Sequence, residues 1–219
     1  MLRICSRTLV PLFLMILSAL SFAAKPEKPD VTIAVGGKSS LYYLPMALAD
    51  RLGYFKAEGL NVEIADFAGG SKALQAMVGG SADVVAGGFD HVIVMQARGQ
   101  KLQAFVLMLS VPAISLGVSK EKATTYKSPK DLKGLKIGVT APGSTTHMFL
   151  NRVLALGALG PDDVSIIGVG SGPTAVAAVR GGQVDALYRR HRVRKAEFGA
   201  TRNHLAHVAD IVVAVLLLA

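Results

Sequence analysis

The 219-residue chain carries 24 Lys and Arg against 15 Asp and Glu, a formal net charge of +9, with no tryptophan and one cysteine. That cysteine is Cys5, so the chain beyond it holds no disulfide, thiolate metal site or cysteine nucleophile. Six basic residues (Arg189, Arg190, Arg192, Arg194, Lys195, Arg202) fall within 188–219 against Glu197 and Asp210, so the basic balance belongs largely to one terminal segment and carries no case for nucleic acid.

Arg3 and Arg7 precede an apolar run over 9–20, interrupted by Pro11 and Ser18, and Ser21-Phe22-Ala23 follows. This is the pattern of a cleavable secretory leader, residues 1–23, with the cut expected after Ala23. The run is shorter than the roughly 20 residues a membrane span needs. Residues 24–30 form a polar, Pro-containing leader to the folded part. Loss of Arg3 and Arg7 takes the formal charge from +9 to +7. The address implied is the periplasm.

From residue 31 the text alternates. Residues 31–35 are a β-branched strand closed by Gly36-Gly37, and 42–53 have helical spacing, with Pro45 in the first turns where proline is tolerated. Strands are expected at 61–67, 82–86 and 102–109, with helices at 71–78 and 90–98 between them. A second block begins after Pro112, with strands at 113–118, 136–140, 164–169 and 184–187 and helices at 147–156 and 174–180. Strands alternating with helices of about ten residues imply β-α-β units and mainly parallel sheets. The expected division is a first α/β lobe over 31–110, a second over 111–187, and an atypical basic and apolar tail over 188–219.

Three strands lead into small-residue loops that open helices: Gly36-Gly37-Lys38-Ser39-Ser40, Gly87-Gly88-Phe89-Asp90 and Pro142-Gly143-Ser144-Thr145-Thr146. Ligands of open α/β sheets bind at the carboxyl ends of strands, and free N–H groups at helix starts favour an anion. Each such loop also reads as an ordinary cap. Gly37-Lys38-Ser39 imitates the end of a phosphate-binding loop, but position 32 is threonine where that motif needs glycine. Asp90-His91 are adjacent at a helix start and do not face each other, and no G-x-S-x-G elbow exists. No catalytic residue, metal or cofactor is expected. Of Tyr42 and Tyr43, one lines a pocket, or one packs while the other is solvated.

Assembled, these stretches resemble the periplasmic substrate-binding proteins of nitrate/sulfonate/taurine-type ABC importers, which include binders of thiamine-pyrimidine precursors. The supporting text is Leu44-Pro45-Met46-Ala47-Leu48-Ala49, Gly53-Tyr54-Phe55-Lys56-Ala57-Glu58-Gly59-Leu60, Gly69-Gly70-Ser71, Gly79-Gly80-Ser81-Ala82-Asp83, Leu132-Lys133-Gly134-Leu135-Lys136 and Gly181-Gly182-Gln183-Val184-Asp185. The resemblance covers about 31–187 and implies the two-lobed type II periplasmic-binding fold, a small anionic solute held between the lobes, a permease partner in the inner membrane and a monomer. The ligand positions it implies are Ser39, Ser40, Tyr42, Ser71, Asp90, Ser144, Thr145 and Thr146. A neutral aromatic or pyrimidine-type solute is the alternative. The pyrimidine-precursor synthases that share this fold carry a cysteine-rich motif absent here, and the expectation is a protein that is not an enzyme.

After residue 187 the resemblance stops. Arginine-rich text followed by an early end is the pattern of a shifted reading frame, so the expectation is a truncated copy with an incomplete second lobe.

Overall fold

The computed structural model describes residues 25–110, 114–189, 200–202 and 214–218. The predicted leader with its cut after Ala23, and most of the basic tail, lie outside these residues.

Asp30–Gly36 (β1) is the organising strand of the first sheet. Its alternating Val31, Ile33 and Val35 stiffen the backbone, and from Ile33 to Gly36 every residue is buried, as a strand covered on both faces requires. It pairs in parallel with Asn61–Phe67 (β2) on one side and Val84–Gly88 (β3) on the other. Gln103–Leu109 (β4) lies at the far edge, and the order is β2-β1-β3-β10-β4, where β10 is Ala214–Leu218. The second sheet is built from Ser115–Val118 (β5), Lys136–Val139 (β6), Ser165–Gly168 (β7), Ala186–Arg189 (β8) and Ala200–Arg202 (β9), in the order β7-β6-β8-β5-β9. Each sheet has four strands running one way and one reversed, β10 in the first and β5 in the second.

Helices cover both faces. Leu44–Arg51 (α1), entered through a 3-10 turn at Leu41–Tyr43, brings Tyr42, Tyr43 and Met46 under Ile33, Val35, Val84 and Ala86. Tyr54–Ala57 (α2) is one turn between glycines. Gly70–Val78 (α3) and Asp90–Ala97 (α4) cover the opposite face through Ala73, Leu74, Met77, Val92 and Met95. In the second lobe, after the short Lys120–Ala123 (α5), Thr145–Leu156 (α6) packs Phe149, Leu150, Val153 and Leu154 onto Ile137, Val139 and Tyr188. Pro173–Arg180 (α7) covers the reverse face with Ala175 against Leu187. Full burial of a side chain such as Phe149 stabilises by about 1.5–3 kcal/mol, so α6 anchors the lobe.

Several boundaries differ from the sequence reading, each for a local reason. β3 runs on through Gly87 and Gly88, which the sequence places in a loop; a side chain on Gly88 would collide with Asp90 and Thr145, so glycine is needed inside the strand. α6 starts two residues earlier than His147, with Ser144 in extended conformation at its N-cap. Tyr42 and Tyr43 are both buried, packed edge to face with centroids 5.1 Å apart, and neither is solvated. β8 continues to Arg189, which makes Tyr188 a core residue. The apolar run near the end of the chain, which has no strand–helix context in sequence, stands between β3 and β4 in the first sheet.

Candidate functional site

The carboxyl ends of β1 and β3 and the turn before α3 point at the carboxyl ends of β6 and β7, so loops of the two lobes meet face to face. Distances from built Cβ positions define how closely. A Cβ on Gly37 would lie 2.1 Å from Ser171 Oγ, one on Gly172 2.9 Å from Ser39 Oγ, and one on Gly69 2.8 Å from Ala141 Cβ. Hydrogen bonds cross the junction: Ser71 Oγ donates to the Pro142 carbonyl at 2.8 Å, and Thr145 Oγ1 donates to Asp90 Oδ1 at 2.9 Å.

The loop after β1 is made by Gly37, whose φ of +97° suits glycine, and by Ser40, whose amide donates to the Gly37 carbonyl at 3.0 Å. Ser40 Oγ caps the following 3-10 turn, accepting from Tyr42 N at 3.4 Å. Asp66, at the end of β2, accepts from the amides of Gly37 (3.0 Å) and Lys38 (2.7 Å). Those two N–H groups, which the sequence reading leaves free for an anion, are therefore already bonded.

In the second lobe Thr140, Ser144 and Thr146 form a triangle of hydroxyls, with Oγ–Oγ distances of 2.9, 3.0 and 2.7 Å, and Thr146 Oγ1 also accepts from Thr140 N at 3.0 Å. The triangle ties the end of β6 to the first turn of α6. His147 Nδ1 accepts from the Gly143 amide at 2.8 Å, which leaves the proton of the neutral ring on Nε2. Burial holds the His147 pKa below its usual 6.5.

A cleft of ≈ 840 Å³ opens where α3 and α4 of the first lobe face the start of α6, a volume that suits a small organic ligand. Its walls include Met95 and Met148, and Arg98 and His147 also line it. Of the eight candidate residues, Ser71, Asp90 and Ser144 line this cleft, and Thr145 joins it through Asp90. Ser39 lies instead against Gly172, while Ser40, Tyr42 and Thr146 are buried in caps and core. Asp66, Thr140, Ser171 and His147 were missed. The Ser171-Gly172 turn carries the same strand-to-helix signature as the three loops read from sequence, and that signal was available. Among the described residues no group of three His, Cys, Asp or Glu side chains is placed to hold a metal, and no helix is long and apolar enough to cross a membrane.

Comparison with known proteins adds four findings. Residues 40–210 match the family described as NMT1/THI5 like. A 4-amino-5-hydroxymethyl-2-methylpyrimidine phosphate synthase of Schizosaccharomyces pombe is 26% identical over 155 residues, 71% of this chain and 43% of the synthase. A solved structure from Bordetella bronchiseptica RB50 is 47% identical, with a TM-score of 0.76 over 88% of this chain and 64% of that one. The alkanesulfonate-binding protein SsuA from Xanthomonas axonopodis pv. citri, solved bound to MOPS, is 23% identical with a TM-score of 0.64, over 90% of this chain and 66% of that one; at this identity the likeness is one of fold. The chain thus spans less than two thirds of the length of the synthase and of the Bordetella protein.

Proposed function

The chain belongs to the NMT1/THI5-like family, and from that premise we propose that it is the extracytoplasmic solute-binding component of an ABC importer. It captures a small anionic solute of sulfonate, nitrate or carboxylate type between its lobes and presents it to a permease of the inner membrane. The observation that carries this reading is the junction itself. Loops from the strand ends of two separate sheets converge on one cleft, and Thr145 reaches across it to Asp90. On this reading the arrangement binds and releases a solute. It couples solute contacts to lobe closure, because a solute touching both lobes favours the state in which they meet.

Arg98 and the positive end of α6 favour negative charge in the cleft. Asp90 opposes a bare anion and favours a solute that also carries a donor, so an amino-sulfonate satisfies both ends. The protein is not an enzyme on this reading. A pyrimidine-type solute is the second reading, and the synthase relative is what favours it.

Isothermal titration of the purified secreted chain against taurine, ethanesulfonate, nitrate, a short carboxylate and an aminopyrimidine tests both. Binding of an anion from this set, with a stabilisation of about 2.7 kcal/mol at a hundredfold excess over Kd, is expected. Binding of the aminopyrimidine alone selects the second reading. Silence from the whole set ends the proposal.

A further inference from the structure

Among the described residues that line the cleft, the acid Asp90 and the base Arg98 stand at opposite ends of one helix. Asp90 is the first residue of α4, Arg98 is its C-cap, and Val94 lies midway between them. Residues four apart share a helix face, so the three form one stripe along the cleft that reads acid, apolar, base. At about 1.5 Å per residue, the stretch from Asp90 to Arg98 sets the two charges about 12 Å apart along the axis. The facing helices turn apolar at the same step: one turn beyond Ser71 comes Leu74 on α3, and one turn beyond Ser144 comes Met148 on α6. The acid end is built rather than incidental. Asp90 is 4% exposed and still lines the cleft. Thr145 donates to its Oδ1 at 2.9 Å, while His91 Nδ1 stands 3.7 Å from Oδ2, beyond hydrogen-bond length. A carboxylate accepts several hydrogen bonds, so Oδ2 retains capacity for a donor brought by a solute.

Resting on the reading of this cleft as the solute site, we infer that its solute is an elongated zwitterion. An ammonium group meets Asp90, an acidic group meets Arg98, and a saturated spacer lies over Val94 and Met148 between them. Contacts of about 3 Å at each end leave about 6–9 Å for the solute itself. A saturated chain advances about 1.2 Å per bond, as an extended backbone does, so the spacer holds about five to seven bonds. A two-carbon spacer such as that of taurine reaches about 3.6 Å and engages one end only. The cleft volume of ≈ 840 Å³ also exceeds what so short a solute fills. A solute with one charge leaves the other end of the stripe unmatched, and one with both charges at the wrong spacing gains no more.

The test is isothermal titration of the full secreted chain with β-alanine, 6-aminohexanoate, hexanoate and hexylamine. The first two share both charges and differ in spacing; the last two share the longer chain and carry one charge each. 6-Aminohexanoate is expected to bind about tenfold tighter, or more, than each of the other three. Arg98→Gln, at an exposed position, removes its advantage over hexylamine and keeps its advantage over hexanoate. Asp90→Asn does the reverse. Asp90 also holds Thr145, so circular dichroism checks that variant first, and if its fold is altered the comparison rests on Arg98→Gln and the parent chain. If β-alanine, hexanoate or hexylamine matches 6-aminohexanoate in the parent, the two-ended solute is overturned while the solute-binding reading stands. If the series is silent and taurine or nitrate binds, the inference falls in the same way. Silence from these solutes and from the earlier set ends both.

Discussion

Thr145 and Asp90, 55 positions apart in sequence and on opposite lobes, are joined by a 2.9 Å hydrogen bond with both side chains buried. The contact exists because two independent sheets end on the same junction: Asp90 opens α4 after β3, and Thr145 opens α6 after β6. Gly88 lies beneath it, and a Cβ there would fall 2.1 Å from Asp90 Oδ1 and 2.6 Å from Thr145 Oγ1. Parting the lobes at this point would break the hydrogen bond that Thr145 makes to a buried carboxyl group.

Removing the donor separates the two. Thr145→Val keeps the shape but leaves a buried Asp90 oxygen without its hydroxyl, at a cost of about 1–3 kcal/mol. The cost is avoided if the lobes part and water reaches Asp90. Thr145→Val is therefore expected to increase the radius of gyration in small-angle scattering and lower Tm, while Thr145→Ser retains both values. An unchanged profile for Thr145→Val means that the bond does not hold the lobes.

Gly36 tests a different constraint, close approach of backbone. A Cβ there would lie 2.3 Å from the Gly70 nitrogen and 2.4 Å from the Gly69 carbonyl carbon, atoms that cannot swing aside. Gly36→Ala is expected to cost about 3 kcal/mol or more, at the upper end for overpacking. Gly99 is the control, since its φ of +77° is strained for alanine but nothing lies within 4 Å; Gly99→Ala should cost about 1–2 kcal/mol. Equal costs in urea denaturation are the result that removes close approach as the cause.

Elements with a local signal were legible in the sequence. β2 follows from alternating Val62 and Ile64 between glycine breaks, and its bounds are as read. Asp90 and Ser144 were singled out by the rule that ligand loops sit at strand ends and Ser71 by the family resemblance, and the three line one cleft. What was not legible depends on distant partners. Nothing within 214–218 says that its neighbours are β3 and β4, more than a hundred residues earlier. Asp66 reads as one more strand residue, and only the fold brings its carboxyl group to the amides of Gly37 and Lys38. Tyr42 follows a strand in the place of a pocket residue, yet the 3-10 turn rotates it into the core.

His147 gives the protein a pH dependence of predictable sign. Burial places its folded pKa below the 6.5 of the unfolded chain, and protonation of Nδ1 would set one N–H against that of Gly143. The unfolded state then binds more protons, so the contribution is complete above 6.5 and is lost as pH falls through the lower folded value. Asp131, held below 3.8 by the amides of Lys127 and Ser128, loses its contribution only in more acid solution. Tm is expected to fall between pH 7.5 and pH 5, and by less in His147→Gln, since unfolding at about these values is where histidine titrates. An identical fall in the variant assigns the dependence to other histidines.

Tyr188 supplies a prediction of the opposite sign. It is 1% exposed on β8, packed with Phe149 and Leu150, and its hydroxyl has no hydrogen-bond partner among the described residues. Burial, with Tyr126 adding to it, pushes its pKa well above the usual value for a phenol. A buried hydroxyl without a partner has lost its water and gained nothing in return, a deficit of about 1–3 kcal/mol. Tyr188→Phe removes that atom and keeps the ring, so the variant is expected to match the parent or exceed it by about 1 kcal/mol. The larger truncation Tyr188→Ala removes the ring as well and is expected to cost about 3–5 kcal/mol, as for other large aromatic core residues. Chemical denaturation measures both. A loss of about 1 kcal/mol or more in Tyr188→Phe shows that the hydroxyl is bonded in solution, because only a made hydrogen bond costs that much to delete.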